Sequence, residues 1–502
     1  MSLRKLFPTS SFVGCADVRV VEATEASGAC RPGVLFAALP GTRVDGTKHI
    51  GEALERGAAS LLVRKPVTGV SVPQCVVPNV RQAYAELCSA LAGTPSRRLA
   101  TTGVTGTNGK TTTTWLVRSL LKTAGRQTGL LGTIEYSDGV HSEPARLTTP
   151  DAKTLTDWLA AMVARRTTHA AMELSSHALD QDRAAGTALD VAIVTNVTQD
   201  HFDYHPGHAA YLASKARILD HLKRGGLAVI NVDDPGSRSL LERIGPNVRT
   251  CTYGLSGECD VTATILHESL TGSVFRLRVG GASAEVRTSL IGRHNVSNCL
   301  AAAAAATEFG LSIEQTSAGI EALTTVPGRL ERVDGPWPFH VFVDYAHTDD
   351  ALRNCIGFLG RLSEGRVICV FGAGGDRDRS KRPLLGRAAA EADLAVVTSD
   401  NPRSEPPEEI IRDILPGFRA TDCEPHVEPD RAAAIHWAIE RARPGDCVLI
   451  AGKGHEVEQI IGTERIPFDD REVARRALRF GVAHPQFIRS PRRTLTSVGR
   501  TS

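Results

Sequence analysis

An apolar and β-branched run, Leu99 to Thr105, passes directly into Gly106-Thr107-Asn108-Gly109-Lys110-Thr111-Thr112. Trp115, Leu116, Leu120 and Leu121 then recur at helical spacing up to a stop at Gly125. The stretch reads as strand, glycine-bearing turn and helix with one lysine at the junction, which is a phosphate-binding layout. Gly106 and Gly109 let backbone N–H groups approach phosphate oxygens at a helix N-terminus. Lys110 adds a point charge, and the Thr111 hydroxyl can ligate Mg²⁺. Val104 stands where G-x-x-x-x-G-K-S/T has its first glycine, so this is a variant loop. A glycine-rich turn with a surface lysine is the competing interpretation.

With 502 residues the chain is long enough for about three domains. Lys plus Arg number 58 against 56 Asp plus Glu, so no charge excess argues for nucleic acid or an anionic membrane. The eleven cysteines form no C-x-x-C pair, which fits a reducing compartment and argues against a zinc ribbon or redox dithiol. No apolar run is long enough to span a bilayer. A cytoplasmic protein acting on small molecules is expected.

Residues 1–98 carry short strand-like pieces, Val34 to Leu39 and Ser60 to Val63, and are expected to form a small α/β unit. The middle third alternates strand and helix patterns, as in a doubly wound sheet, with its unusual polar residues where strands end. Ala170 to Leu174 leads into Glu173 and Ser175, and Val191 to Val197 into Asn196, Thr198, Asp200, His201, Asp203 and His205. A carboxylate ending an apolar run needs a cation or donors, and Mg²⁺ prefers hard oxygen ligands, so Thr111 and Glu173 are candidate metal ligands. The histidines of His201 to His205 admit a zinc-hydrolase reading or that of a plain surface loop. Spacing makes Lys215 an ordinary helix lysine, Leu147 to Pro150 a turn, and Arg183 and Arg329 surface charges.

The last third shows strand-like runs at His340 to Val343, Arg366 to Phe371, Asp393 to Thr398 and Cys447 to Ala451, separated by helical stretches, so a second parallel α/β domain is expected. Gly372-Ala373-Gly374-Gly375 supports a dinucleotide site only weakly, because the third glycine of G-x-G-x-x-G would fall on Arg377. Asp400-Asn401-Pro402-Arg403 and Gly452-Lys453-Gly454-His455-Glu456 follow strands and could each be a plain turn.

Taken in order, the phosphate loop, Asn196 to His205, Gly292 to Asn298, Pro327 to Glu331, Asp344 to His347, Phe371 to Pro383, Asp400 to Arg403 and Gly452 to Glu456 resemble the Mur ligase family over roughly residues 30–475. Its members are ATP-dependent enzymes that join an amino acid to a UDP-linked muramoyl peptide through an acyl-phosphate. The resemblance implies three α/β domains: a UDP-binding domain at 1–98, a P-loop ATPase-like domain at 99–331 and a Rossmann-like amino-acid domain at 332–502, with a flexible tail from about 483. It implies ATP contacts at Gly106 to Thr112, Asn295, Arg329 and Asp344, and two Mg²⁺ sites using Thr111, Glu173, His201 and a carbamylated Lys215. Lys110, Glu173, His201 and Lys215 are the implied catalytic set.

Within the family the chain resembles the tripeptide-forming members. That likeness implies UDP-MurNAc-L-Ala-D-Glu as substrate, held by Ser27, Thr148, Thr149, Ser175, Gln181, Arg183 and Lys215. Ala26-Ser27-Gly28 replaces the usual Asp-Ser-Arg, His294 replaces an aromatic, and Asp349 replaces a proline. The likeness further implies meso-diaminopimelate, contacted by Arg377, Asp400, Asn401, Arg403, Gly452 and Glu456. A folate polyglutamate ligase is the alternative within the fold, and Thr111-Thr112 argues against its usual loop. A nucleotide switch without ligase chemistry would leave Lys215, Arg377 and Arg403 unexplained.

Overall fold

The computed structural model describes residues 1–41, 45–198, 204–419 and 421–481. It divides into two compact units, 1–324 and 325–502.

The first unit contains two sheets. The smaller has the order Ser11–Val13, Gln74–Val76, Ser60–Val63, Leu35–Ala37, Ala23–Thr24, parallel except for its first strand. Helix Val80–Leu91, capped by the Asn79 side chain, lays Tyr84, Leu87 and Cys88 into this core. The larger sheet has eleven strands. Its parallel centre runs Thr128–Leu131, His169–Glu173, Ala100–Thr105, Leu189–Val194, Leu222–Asn231 and Arg249–Gly254. From Ala100–Thr105 the chain builds four strands to one side, Thr128–Leu131, Glu135–Ser137, Ser142–Pro144 and His169–Glu173, and then crosses to Leu189–Val194 on the other. The order therefore reverses beside Thr105, where open α/β sheets leave a crevice at their carboxyl ends. An antiparallel meander, Val261–Ser269, Gly272–Val279 and Ala282–Thr288, extends the far edge.

Helix Lys110–Thr123 carries four threonines, Thr111 to Thr114, directly after its first residue, and threonine is a poor helix former. Burial offsets this. The Thr114 hydroxyl bonds back to the Lys110 and Thr111 carbonyls at 3.1 and 2.9 Å, and the Thr113 hydroxyl reaches Asn298 Oδ1 at 3.3 Å. Gly125, at φ +76°, ends the helix as expected. Helix Arg293–Glu308 packs against it, and a run of buried alanines from Ala301 to Ala306 permits the close approach.

The second unit is a six-stranded sheet ordered Glu331–Arg332, His340–Asp344, Cys447–Ala451, Val367–Phe371, Leu394–Val397, His426–Val427, and all but the first strand are parallel. The four strands expected here are present within a residue or so of the expected limits. A hairpin, Glu458–Ile461 with Glu464–Pro467, follows, then helix Asp470–Gly481. Among the described residues no helix is long and apolar enough to cross a membrane.

Candidate active site

In the first unit the phosphate loop leaves its strand at Gly106, φ +152°, where a β-carbon would lie 1.8 Å from Thr195 Oγ1. At Gly109, φ +86°, one would meet Asn298 Oδ1 at 2.4 Å. Neither position admits a side chain. The loop is pinned to the neighbouring strand end: Thr195 Oγ1 donates to the Asn108 carbonyl at 2.6 Å, Asn196 Oδ1 accepts the Asn108 N–H at 2.8 Å, and the Thr107 N–H reaches the Asn196 carbonyl at 2.9 Å. The Thr107 hydroxyl lies 3.2 Å from the Tyr211 hydroxyl, and Thr112 is buried in the first helical turn. No side chain caps this helix and its first turn holds no acid, so its N–H groups suit an anion. Lys110 Nζ donates to the Gly106 and Thr107 carbonyls at 2.8 and 2.9 Å, folding over the cradle it borders.

Glu173 ends its strand with 1% exposure and is met by donors. The Thr111 hydroxyl reaches Oε2 at 3.1 Å, the Thr133 hydroxyl reaches it at 2.9 Å, and the Thr133 N–H reaches Oε1 at 2.8 Å. Thr111 and Glu173, the two candidate metal ligands, are hydrogen-bonded to each other, and Thr133 joins them. From here a polar band continues. The Thr133 hydroxyl bonds Thr148 Oγ1 at 3.2 Å, and the Thr149 hydroxyl bonds the Glu173 carbonyl at 2.8 Å and accepts the Ser175 N–H at 3.0 Å. Arg183 then joins the Thr149 carbonyl (3.2 Å) to Gln181 Oε1 (2.6 Å). Thr148, Thr149, Ser175, Gln181 and Arg183 are thus gathered into one cluster.

Lys215 is 1% exposed on helix His208–Ala216, with Nζ 4.4 Å from the Tyr211 ring centroid. His205, Tyr204 and His177 follow one another beyond Tyr211 in edge-on or tilted contacts, with adjacent ring centroids 4.2–5.3 Å apart. At 1% exposure this lysine is not the ordinary surface residue that helical spacing suggests. His201, Asp200 and Asp203 lie outside the described residues. Asn295 is placed behind the loop, its Nδ2 donating to the Ile291 carbonyl and its Oδ1 accepting from Asn298. The Ser27 hydroxyl donates to Glu52 Oε2 at 2.6 Å. Among the described residues no group of three or more His, Cys, Asp and Glu side chains is arranged to hold a metal. The Thr111–Glu173 pair still offers hard oxygens of the kind Mg²⁺ takes beside phosphates.

In the second unit the expected residues gather at the carboxyl ends of the strands. Asp344 accepts the Leu330 and Ala346 N–H groups at 2.6 and 2.7 Å. Burial pushes its carboxyl above the ordinary value, while Arg329 and those N–H groups pull the other way. The Arg329 guanidinium sits 4.9 Å from the Tyr345 ring centroid. Gly328, at φ +65°, approaches so closely that a β-carbon would stand 2.1 Å from the His455 nitrogen.

Asn401 Nδ2 donates to Glu456 Oε2 at 2.8 Å. Lys453, fully buried, joins Asn401 Oδ1 (3.2 Å), Glu456 Oε2 (2.9 Å) and the Glu458 carbonyl (2.6 Å). A β-carbon on Gly452 would meet Asp400 Oδ2 at 2.7 Å, which explains the glycine. Arg403, at φ +53°, donates from Nη1 to the Gly375 carbonyl at 2.7 Å. A β-carbon on Gly374 would stand 3.0 Å from Arg403 Nη1 and 3.5 Å from Arg377 Cγ, so both arginines flank that glycine, with Arg377 exposed.

Two ion pairs made by buried arginines, absent from the sequence expectations, underlie these motifs. Arg431 grips Asp470 with two 2.7 Å bonds, both side chains fully buried, and donates to the Ser399 and Ala451 carbonyls at 3.2 and 2.9 Å. It thereby ties together the ends of the strands that precede Asp400 and Gly452. Arg382, 1% exposed, grips Glu405 at 2.7 and 2.9 Å and holds its carboxyl down at about 2. The signal for Lys453 was its place between two glycines after a strand. Arg382 and Arg431 had none, lying 23 and 39 residues from their partners.

Three Mur ligase family profiles match the chain in order: the Mur ligase family catalytic domain at 25–91, the Mur ligase middle domain at 104–306 and the Mur ligase glutamate ligase domain at 328–454. A UDP-N-acetylmuramoyl-L-alanyl-D-glutamate--2,6-diaminopimelate ligase of Gloeobacter violaceus is 45% identical over 92% of this chain and 94% of its own. The protein of the same name from Geobacillus kaustophilus is 44% identical over 89% and 92%. A solved structure of a ligase of that name superposes with a TM-score of 0.68 at 32% identity, covering 96% of this chain and 99% of the other. The MurF ligase of Thermotoga maritima, solved with ADP, shares the fold with a TM-score of 0.59 at 19% identity over 87% and 96%. Identity of this order across nearly the whole of both chains, over a glycine-bearing phosphate loop and polar clusters at the strand ends, means that the chain belongs to the Mur ligase family.

Proposed function

We propose that the chain is an ATP-dependent ligase that adds meso-2,6-diaminopimelate to UDP-N-acetylmuramoyl-L-alanyl-D-glutamate, releasing ADP and phosphate, in peptidoglycan precursor synthesis. The observation that carries this reading is the second unit's cluster. A guanidinium anchored on the Gly375 carbonyl stands near Arg377, and a separate acidic group, Glu456, is fixed by Lys453 and Asn401. A diamino diacid needs both features: a planar fork for its distal carboxylate and an acid for its distal ammonium. The names of the relatives agree.

A carboxylate is a poor electrophile toward an amine. The D-glutamyl carboxylate therefore attacks the γ-phosphorus of ATP, and ADP leaves. The amine of the incoming amino acid then attacks the acyl carbon, and phosphate leaves with the acyl C–O electrons. Lys110 must give up the Gly106 and Thr107 carbonyls to meet the phosphates, joining the helix N-terminus and Arg329 in neutralising charge. Thr149, Ser175, Gln181 and Arg183 hold the muramoyl peptide, and Ser27 contacts the uridine end. Asn295 and Asp344 shape the ATP site. Thr111 and Glu173 would hold one Mg²⁺, and His201 with a carbamylated Lys215 a second. When bound, Mg²⁺ supplies further charge neutralisation at the transferring phosphoryl group.

The three domains of this reading are 1–98 for the UDP moiety, 99–331 for ATP and 332–502 for the amino acid, and the enzyme works in the cytoplasm. The test is ADP release measured with each substrate omitted in turn. Turnover should need the muramoyl dipeptide and the amino acid together. Equal ATP hydrolysis without either would refute the ligase reading.

A further inference from the structure

One peptide unit in the second unit of the chain is held at both ends. The Gly375 carbonyl accepts Arg403 Nη1 at 2.7 Å, and across the same planar peptide the Asp376 N–H donates to Glu405 Oε1 at 2.6 Å. Glu405 is fixed in turn by the two-pronged grip of buried Arg382, whose Nη1 also reaches Asp413 Oδ2 at 2.9 Å and whose Nη2 lies 3.5 Å from the Gly374 carbonyl.

The segment is under conformational load. Asp376 sits at φ +54° and Arg403 at +53°, both in the left-handed region that side-chain-bearing residues avoid. A β-carbon on Gly375 would stand 1.8 Å from the Pro402 carbonyl oxygen, so the two loops touch with no room between them. The Gly375 N–H to Asn401 carbonyl bond (2.9 Å) and the Asp376–Ser404 bond (2.6 Å) stitch the loops on either side. If the Gly375–Asp376 peptide rotated, the strain at Asp376 would relax, and the oxygen that aims Arg403 would turn away.

We propose that Arg382 is a positioning residue for amino-acid selection. Acting through Glu405, it locks the Gly375–Asp376 peptide in the orientation whose carbonyl aims the Arg403 guanidinium at the distal carboxylate of the incoming amino acid. The proposal rests on the diaminopimelate reading above. Arg382 touches no substrate in this scheme. Its burial explains why an arginine is used: two parallel bonds to one carboxylate fix an angle as well as a distance, which a lysine cannot do.

The test is a double-mutant cycle in the full-length enzyme. Arg382→Lys and Glu405→Gln are assayed for kcat and KM, alone and combined with Arg403→Ala, at saturating ATP and muramoyl dipeptide. Each single variant should raise the KM for meso-diaminopimelate by about 10- to 100-fold, the scale of misplacing a positioned group by ~1 Å. The KM for ATP should stay unchanged, and kcat should change far less. In the Arg403→Ala background Arg382→Lys should cost almost nothing more, because both act through one contact. A full additive loss, or an unchanged KM in the single variants, overturns the proposal. Should those variants fail to fold, Glu405→Asp keeps the charge that pairs with Arg382 but draws the carboxylate back from the Asp376 N–H by one methylene. It should raise the same KM, and a wild-type KM there would equally overturn the proposal. A wild type that forms no product with meso-diaminopimelate sinks the functional reading and the proposal with it. An additive cycle in an active wild type sinks the proposal alone.

Discussion

The phosphate-loop cluster of the first unit and the polar cluster of the second are built from different materials. The first is made of backbone, small hydroxyls and two glycines that neighbouring side chains forbid from being anything else. Its lysine, Lys110, donates to two carbonyls of its own loop. The second is made of charges taken out of water. Arg382, Arg431 and Lys453 are all buried and each is paired with a carboxylate. Phosphate is the same in every nucleotide, so main-chain N–H groups at a helix end suffice for it. Telling one amino acid from another requires charged groups held at fixed angles, and buried ion pairs fix angles without adding much net stability.

That contrast can be broken at either end. The largest effect on the amino-acid side is expected from Arg431→Met, which leaves Asp470 buried and unpaired and should cost about 3–5 kcal/mol of stability. Urea unfolding followed in the second unit measures it, and a loss under about 1 kcal/mol would show that the pair is not holding the strand ends. On the phosphate side, Lys110→Ala should leave stability nearly untouched while slowing ATP-dependent ligation by about 10²-fold or more. A variant that loses stability but turns over normally would invert the comparison. Lys215→Ala should also be nearly inactive, and a short carboxylic acid should restore part of its activity. Wild-type behaviour at low Mg²⁺ would contradict the carbamate.

The same contrast decides what could be read from residues alone. The phosphate loop was legible because glycine and lysine spacing records a local backbone requirement. Likewise the strands ending at Asp344, Phe371, Val397 and Ala451 carry continuous apolar runs that only a buried parallel strand needs. Thr133 and Thr195 were not legible. A hydroxyl in a threonine-rich chain carries no mark of the carboxylate or carbonyl it will meet. Arg382 and Arg431 were hidden among 58 basic residues, since burial follows from tertiary packing and their partners lie far along the chain. The antiparallel meander was missed although Phe275 and Leu277 alternate with exposed Arg276 and Arg278, a strand's period of two. Lys215 was singled out only through the family resemblance, because nothing in helical spacing distinguishes a lysine that will be buried from one that will not.

The most direct measurement compares kcat/KM for meso-diaminopimelate and L-lysine in the wild type and in Arg403→Ala. Lysine lacks the distal carboxylate and would leave the Arg403 guanidinium, already anchored on the Gly375 carbonyl, without its partner. A site built to recognise such a group can reject an analogue lacking it by roughly 10⁴-fold. The wild type should therefore prefer diaminopimelate by about that factor, and Arg403→Ala should erase most of the preference by losing diaminopimelate rather than by gaining lysine. Equal use of both amino acids by the wild type, or an unchanged preference in the variant, would contradict the assignment of amino-acid choice to this cluster.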